Sequence, residues 1–171
     1  PAAACGMLLG LATWGPMGWA GYKEGMDALA VRDYVRARNE FEQDRSDVKA
    51  LYELARLARL GLGEPANESR STNLLRQAAD LGYDVARLDY VYALGNGRGV
   101  EKDPVQALKI LEAMSAEGKT EAQVALGRAL RYGWWNQPKN EARAAELFLK
   151  AMEAGDDTAR MQYATALAFG V

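Results

Sequence analysis

The sequence predicts an all-α fold, a right-handed α/α superhelix (solenoid) assembled from helical hairpins. Three observations predict it. The chain resembles itself at a period of 36 residues, apolar residues recur at helical spacing within each period, and glycines stand where each helix should end. The composition agrees, because 49% of the 171 residues are hydrophobic and only 9% are aromatic. Much of the apolar content is alanine and leucine, which favour helices.

The repeat is visible as columns of equivalent residues. Ala50, Ala86, Ala122 and Ala159 follow one another at steps of 36, 36 and 37 residues, and the longer step reflects one inserted residue in the third unit. Because one hairpin cannot cover its own apolar face, we expect the units to stack. Further columns keep the same steps: Leu54, Tyr90, Leu126 and Tyr163; Ala58, Leu94, Leu130 and Leu167; Gly61, Gly97, Gly133 and Gly170; Leu75, Leu111 and Phe148; Gly82, Gly118 and Gly155.

The first helix of each unit carries small and apolar residues at positions i, i+4 and i+8, which share one helix face. In the second unit these are Ala86, Tyr90 and Leu94, and the helix should end at Gly97 in a left-handed cap. The residues that we predict as N-caps of these first helices are Asp84, Thr120 and Asp157.

The second helix of each unit should begin at an aligned polar column. Asn67, Asp103 and Asn140 occupy it, and all three have side-chain oxygens that can cap a helix N-terminus. Pro104 stands at the first helical position of the second unit, and Gln106 stands where a capping box places its second member.

Residues 1–20 differ from the rest, because they contain no charged residue. The apolar run is too short and too broken for a comfortable transmembrane helix, but it is typical of a secretory signal, with Gly18-Trp19-Ala20 as the cleavage site. We therefore expect a signal peptide truncated at its start and a periplasmic or secreted protein, with no membrane span in the mature chain. An apolar helix that caps the solenoid in a cytoplasmic protein is the alternative, and a lipoprotein anchor is disfavoured because the apolar run follows Cys5.

The second unit carries the motif Ala86-x3-Tyr90-x3-Leu94-Gly95-x-Gly97-x-Gly99-Val100-x2-Asp103-x3-Ala107. This motif resembles the Sel1-like repeat, a relative of the tetratricopeptide repeat. The resemblance covers residues 48–171, as units 48–83, 84–119 and 120–156 and a partial unit 157–171. Residues 21–47 resemble a tetratricopeptide-type hairpin. Because the fourth unit lacks its second helix, we expect the native protein to continue past Val171.

Composition excludes several function classes. Histidine is absent and Cys5 is the only cysteine, so the usual general base, metal ligands and paired nucleophiles are missing. The net charge of −2 gives no basis for nucleic-acid binding. We therefore predict no enzyme, no cofactor and no metal. The resemblance leaves a β-lactam-binding or hydrolysing enzyme as an alternative, since a cysteine-rich branch of the family is linked to that activity. The repeats here have no cysteine, and the one Ser-x2-Lys match, Ser46-Asp47-Val48-Lys49, lacks its companion motifs.

The resemblance implies a protein–protein interaction scaffold or adaptor, of bacterial origin and with a protein or peptide partner; a cell-envelope assembly subunit is the alternative. The third unit departs most from the repeat, because Gly133-Trp134-Trp135-Asn136-Gln137-Pro138 replaces its glycine-rich loop. We predict that Tyr132, Trp134 and Trp135 form a partner-binding anchor, since tryptophan and tyrosine dominate binding hot spots. The alternative is that the tryptophans fill the gap left by the altered loop.

Overall fold

The computed structural model describes residues 20–168, which form an α-helical solenoid. Each helix packs against the next one along the chain, and this part of the chain contains no strand, so the all-α prediction is confirmed. The helices are α1 (Ala20–Ala30), α2 (Tyr34–Gln43), α3 (Val48–Leu60), α4 (Glu68–Asp80), α5 (Asp84–Asn96), α6 (Pro104–Ala116), α7 (Thr120–Tyr132), α8 (Glu141–Glu153) and α9 (Asp157–Ala168), with a 3₁₀ turn at Trp134–Asn136 between α7 and α8.

The N-terminal signal prediction lies outside the described residues, except that Ala20 begins α1. Residues 21–47 form α1, α2 and the turn that leads to α3. The division of the chain into a signal, a tetratricopeptide-type hairpin and Sel1-like units stays a prediction. Among the described helices, none is both long and apolar enough to cross a membrane.

The predicted caps of the second helices are confirmed. The side chains of Asn67, Asp103 and Asn140 each accept a hydrogen bond from a backbone N–H of the first helical turn, at 2.9 Å in all three units. The capping box at Gln106 is wrong, because the backbone N–H of Asp103 donates to the carbonyl of Leu94 at 2.9 Å and has no need of a side-chain acceptor. The equivalent bonds, from Asn67 to Ala58 and from Asn140 to Leu130, close the other two turns.

The predicted caps of the first helices are wrong by one residue. Asp84, Thr120 and Asp157 are the first residues of their helices, not the caps. The cap positions hold Tyr83 and Lys119, whose side chains make no capping bond, and Asp156, whose carboxylate accepts from the N–H of Ala159. One linking residue follows each glycine of the Gly82 column before the helix begins, and the sequence interpretation did not count it.

The glycine caps of the first helices have the left-handed backbone that was predicted. Gly61, Gly97 and Gly133 have φ angles of 68°, 72° and 69°. These residues end α3, α5 and α7, where a side chain would be strained. The equivalent Gly170 lies outside the described residues.

The core lies between the stacked hairpins as two clusters of buried residues, one from Ala28 to Ala86 and one from Val91 to Ala159, and the partly buried Tyr90 packs against both. The alanine column, Ala50, Ala86, Ala122 and Ala159, has no exposed surface at all. Its small side chains let neighbouring helices approach closely, as predicted. Where the second helix contributes a large ring, the first helix contributes a glycine: the ring of Phe148 lies against the backbone of Gly127, and that of Phe41 lies against Gly25. The hairpins therefore keep similar packed volumes although their core residues differ.

Candidate partner-binding surface

The turn between α7 and α8 differs from the two equivalent turns before it. It is one residue longer, because Asn140 pairs with Leu130 over ten positions, where Asn67 and Ala58 are separated by nine. After the Gly133 cap the chain makes a tight turn over Trp134–Asn136, in which the carbonyl of Trp134 accepts from the N–H of Gln137 at 3.1 Å. Because of the extra residue, the backbone of this turn follows a different path from that of the two equivalent turns.

The backbone of this turn is also unusual. Trp135 and Asn136 have φ angles of 56° and 63°, in the left-handed region. Asparagine tolerates this region, but for tryptophan it costs about 1–2 kcal/mol. Gly63 and Gly99 occupy the repeat position of Trp135 in the first two units, with φ angles of 76° and 65°. The third unit therefore keeps the backbone of a glycine position but carries a large side chain on it.

The earlier turns show why glycine stands there. A Cβ on Gly99 would come within 2.2 Å of the carbonyl oxygen of Glu68, and one on Gly63 would come within 2.5 Å of that of Tyr34. Those two turns therefore lie directly on the backbone of the preceding hairpin. A tryptophan could not make this approach, so the third turn must pack differently.

Trp135 packs on α5, the first helix of the preceding unit. Its indole lies on the backbone of Gly95, so close that a Cβ there would be 2.2 Å from Cε2 of the ring. The indole N–H donates to the side-chain oxygen of Asn96 at 3.3 Å, and the amide nitrogen of Asn96 donates to the carbonyl of Tyr92 at 2.8 Å. Trp135 is half-buried by this contact. The alternative interpretation of the sequence, a tryptophan that fills the gap left by the altered loop, describes Trp135 well.

Trp134 packs against two tyrosines. Its ring stacks on Tyr132, with centroids 5.9 Å apart and planes 26° apart, and meets Tyr92 edge-on at 6.5 Å. Trp134 is half-buried, whereas Tyr132 is 51% exposed and carries the guanidinium of Arg131 over its ring at 5.6 Å. The three predicted residues therefore do lie together, and Tyr132 is the most exposed of them. We call Tyr92, Tyr132, Trp134 and Trp135 the aromatic rim.

A cleft of about 410 Å³ opens beside the aromatic rim. Burial raises the pKa of Tyr92, so its hydroxyl stays protonated at physiological pH and can donate a hydrogen bond. Trp134 and Trp135 supply flat apolar faces, and exposed amide and ammonium groups surround them. Such a mixture is typical of a binding site for a peptide. The residues that line the cleft are Tyr92, Asn96, Lys102, Gly133, Trp134, Trp135 and Asn136.

Sequence reasoning missed Tyr92, Gly95, Asn96 and Lys102. One signal was present at Gly95, because the equivalent residues of the first and third units are Arg59 and Arg131. A glycine in a column of arginines points to a large neighbour, but it does not tell which residue that neighbour is.

The Ser-x2-Lys match has a structural role. The Ser46 hydroxyl donates to Asp44 at 3.0 Å, and the Asp47 carboxylate caps α3 through the N–H groups of Lys49 and Ala50. The segment is thus a turn followed by a helix start. Within residues 20–168, no group of three or more histidine, cysteine or acidic side chains is arranged to hold a metal ion.

Stacked helical hairpins with an aromatic site on one turn define the class of this molecule as a helical-repeat protein. A model of the Sel1 repeat matches residues 48–83, 83–119 and 120–156, which is more than half of the chain. The chain belongs to the Sel1 repeat family, whose members are generally protein-interaction scaffolds.

Solved structures show the same fold. The chain is similar to c5321, described as a protective antigen present in uropathogenic Escherichia coli strains, with a TM-score of 0.73, 24% identity and coverage of 88% of this chain and 33% of that one. It is also similar to a Sel1 repeat protein from Oxalobacter formigenes, with a TM-score of 0.69, 20% identity and coverage of 84% and 58%. The chain thus spans a third and somewhat over half of their lengths. No curated protein matches it.

Proposed function

We propose that this protein is a non-enzymatic adaptor that holds a protein partner at the aromatic rim. The observation that carries the proposal is the turn between α7 and α8. There the sequence departs from the repeat, and two tryptophans line a cleft at the surface. A turn between helices can change without disturbing the stack, so it is the part of a solenoid most free to acquire a binding site.

The residues of the aromatic rim differ in the contacts that they make with the fold. Trp135 rests on Gly95 and bonds to Asn96, so it supports the rim from below. Tyr132 and Trp134 stack on each other, and Tyr132 leaves half of its surface to solvent. A partner would contact Tyr132 at the edge of the rim and the rings of Trp134, Trp135 and Tyr92 in the cleft, and the packing of Trp135 on α5 would hold these rings in a fixed geometry before binding. Such preorganisation lowers the entropy cost of association.

Photocrosslinking in cells that make the full-length protein tests the proposal. p-Benzoylphenylalanine in place of Tyr132 keeps an aromatic ring at the rim, and ultraviolet light should join it to the partner. The same crosslinker in place of Val105, which is 76% exposed on α6, is the control for chance encounters. A partner adduct at Tyr132 that is absent at Val105 would support the proposal, whereas identical adducts or none at Tyr132 would contradict it.

The captured partner then allows a quantitative test. Tyr132→Ala should weaken binding by about 2 kcal/mol, as for a hot-spot aromatic residue. The same change should cost under about 1 kcal/mol of stability, because the side chain is half exposed. Val105→Ala should change neither quantity. An unchanged affinity of Tyr132→Ala would place the interface elsewhere.

We further propose that the protein is bacterial and acts in the periplasm or outside the cell. The uncharged residues 1–20 support this proposal, since their composition is that of a secretory signal. Expressed from the full-length gene in a Gram-negative host, the protein should be recovered from the periplasm with its N-terminus near Gly21. Intact protein in the cytoplasmic fraction would contradict the proposal.

A further inference from the structure

We infer that the segment recognised at the aromatic rim is an extended acidic peptide that presents a proline or aromatic side chain beside its carboxylates. The inference rests on the proposed function, and it adds the chemistry of the partner. Two features of the cleft carry it, namely the flat faces that line it and the sign of the charges beside it.

The flat faces come from three residues. Trp134 and Trp135 meet at 6.3 Å with planes 56° apart, and Tyr92 lies 6.0 Å from Trp135 at an angle of 60°. These tilted rings form a shallow apolar trough, not a single flat wall. Such troughs accept a proline ring or an aromatic side chain from an extended peptide, which loses little conformational entropy on binding.

The charges at the cleft are positive. Among the residues that the structure describes, Lys102 is the only charged one that lines the cleft, and the side chain of Lys139 lies within 3.3 Å of the position that a Cβ of Gly133 would take. Both lysines are exposed, and in residues 20–168 no ion pair involves either of them. They stand on different turns, Lys102 before α6 and Lys139 before α8; Lys102 lines the cleft, and Lys139 lies beside Gly133, which also lines it.

Two carboxylates, one beside Lys102 in sequence and one on α5, are already engaged by the fold. Asp103 caps α6 through the N–H of Gln106 at 2.9 Å, and Asp89 accepts the hydroxyl of Tyr52 at 3.1 Å. Glu101 and Glu141, which stand close to the two lysines in sequence, are exposed and do not line the cleft. The ammonium groups of Lys102 and Lys139 are thus left for an anionic partner.

Aromatic faces and cations also occur together in sites for single-stranded nucleic acid, so the two partner classes must be weighed. Such sites follow the phosphate backbone with a track of cations over several nucleotides. Here Lys102 lines the cleft, Lys139 lies beside Gly133, and the Arg131 guanidinium lies over Tyr132. These cations form a cluster and not a track, and the chain as a whole has a net charge of −2. A short acidic peptide matches this small positive area better than a polyanion does.

Selection from a random peptide library, displayed on phage and captured by the immobilised full chain, tests the inference. Three further chains are screened in parallel: Tyr132→Ala, the pair Lys102→Glu with Lys139→Glu, and the control pair Lys109→Glu with Lys150→Glu, whose lysines are exposed on α6 and α8. Circular dichroism first checks that each variant is folded. Enriched peptides are then synthesised, and their dissociation constants are measured with and without an excess of single-stranded oligothymidylate.

The expected peptides combine aspartate or glutamate with proline or an aromatic residue. Their capture should depend on Tyr132, and they should bind the Lys102→Glu, Lys139→Glu chain about fivefold or more weakly, because attraction at two exposed positions is replaced by repulsion. The control pair should bind them as the unaltered chain does.

Other outcomes separate the two proposals. Peptides that depend on Tyr132 but are neutral or basic would overturn the acidic partner and leave the adaptor function standing. Displacement of the peptides by oligothymidylate would also overturn the inference, because it would indicate a nucleic-acid site. Enrichment of no peptide that depends on Tyr132 would overturn the inference and the proposed site together.

Discussion

The contact between Trp135 and Gly95 gives the sharpest test of how this solenoid accommodates its aromatic rim. A Cβ at position 95 would stand 2.2 Å from Cε2, 2.4 Å from Nε1 and 2.6 Å from Cζ2 of the indole. The ring would have to withdraw by about 1.5 Å to regain van der Waals distance. Gly95→Ala should therefore disturb the whole rim, although it adds only one methyl group.

The magnitude follows from two opposing effects. Overpacking of this kind costs about 1–3 kcal/mol, and the indole bond to Asn96 at 3.3 Å would also be strained. Alanine is a better helix former than glycine by up to about 1 kcal/mol, although the gain is smaller near the end of α5. The free energy of unfolding should therefore fall by about 1–2 kcal/mol.

A double-mutant cycle isolates the contact. In a Trp135→Ala chain the space above Gly95 is empty, so adding Gly95→Ala should leave the stability unchanged or raise it by up to about 1 kcal/mol. The coupling energy between the two positions should be about 1–3 kcal/mol. Urea unfolding of the four full-length chains, followed by circular dichroism, measures it. An equal effect of Gly95→Ala in both backgrounds would refute the packing argument.

Three further predictions concern the rest of the solenoid. Ala122→Leu should lower the free energy of unfolding by about 1–3 kcal/mol, because Ala122 has no exposed surface and the helices cannot separate freely; an unchanged urea midpoint would mean that the column has room to spare. Asn140→Ala should cost about 1 kcal/mol, since its side chain caps α8 at 2.9 Å, and thermal unfolding beside the exposed-site control Lys150→Ala checks it. Burial, and then the charge and hydrogen bond of Asp89, raise the pKa of Tyr52 from 10.0 to about 12. The unfolded chain therefore ionises first, so stability should decrease as the pH rises from 10 towards 12. Tyr52→Phe should flatten that decrease, and an equal slope in both chains would count against the raised pKa.

Much of the fold could be predicted because the repeat encodes it locally. Helix-forming residues at helical spacing, polar N-caps such as Asn67 and Asn140, and glycines such as Gly61 and Gly97 act within a few residues of one another. Each signal also recurs at the same period, so a helix that is poorly defined in one unit can be placed by comparison with the others. The cap positions near Asp84 and Thr120 were misplaced by one residue because polar side chains also favour the first helical turn.

The candidate site could be predicted only in part. Tyr132, Trp134 and Trp135 are neighbours in sequence and break the repeat, so the amino-acid pattern alone singles them out. The sequence does not show that Trp135 packs on α5 whereas Tyr132 is exposed, because this depends on which neighbour each ring contacts. Lys102 is an ordinary exposed lysine in the sequence, and only its place at the cleft gives it significance.

The sequence by itself determined that this protein is a stack of helical hairpins, where most helices begin and end, and which residues depart from the pattern. Local backbone preferences and a repeated hydrophobic period are sufficient for that. Only the tertiary structure decided that Trp135 lies on Gly95, 40 residues away, and that Lys102 lines the cleft formed by Trp134 and Trp135. Contacts between units depend on the volumes of the side chains that meet and on the path of a turn with one inserted residue. The backbone preferences of neighbouring residues encode neither of these.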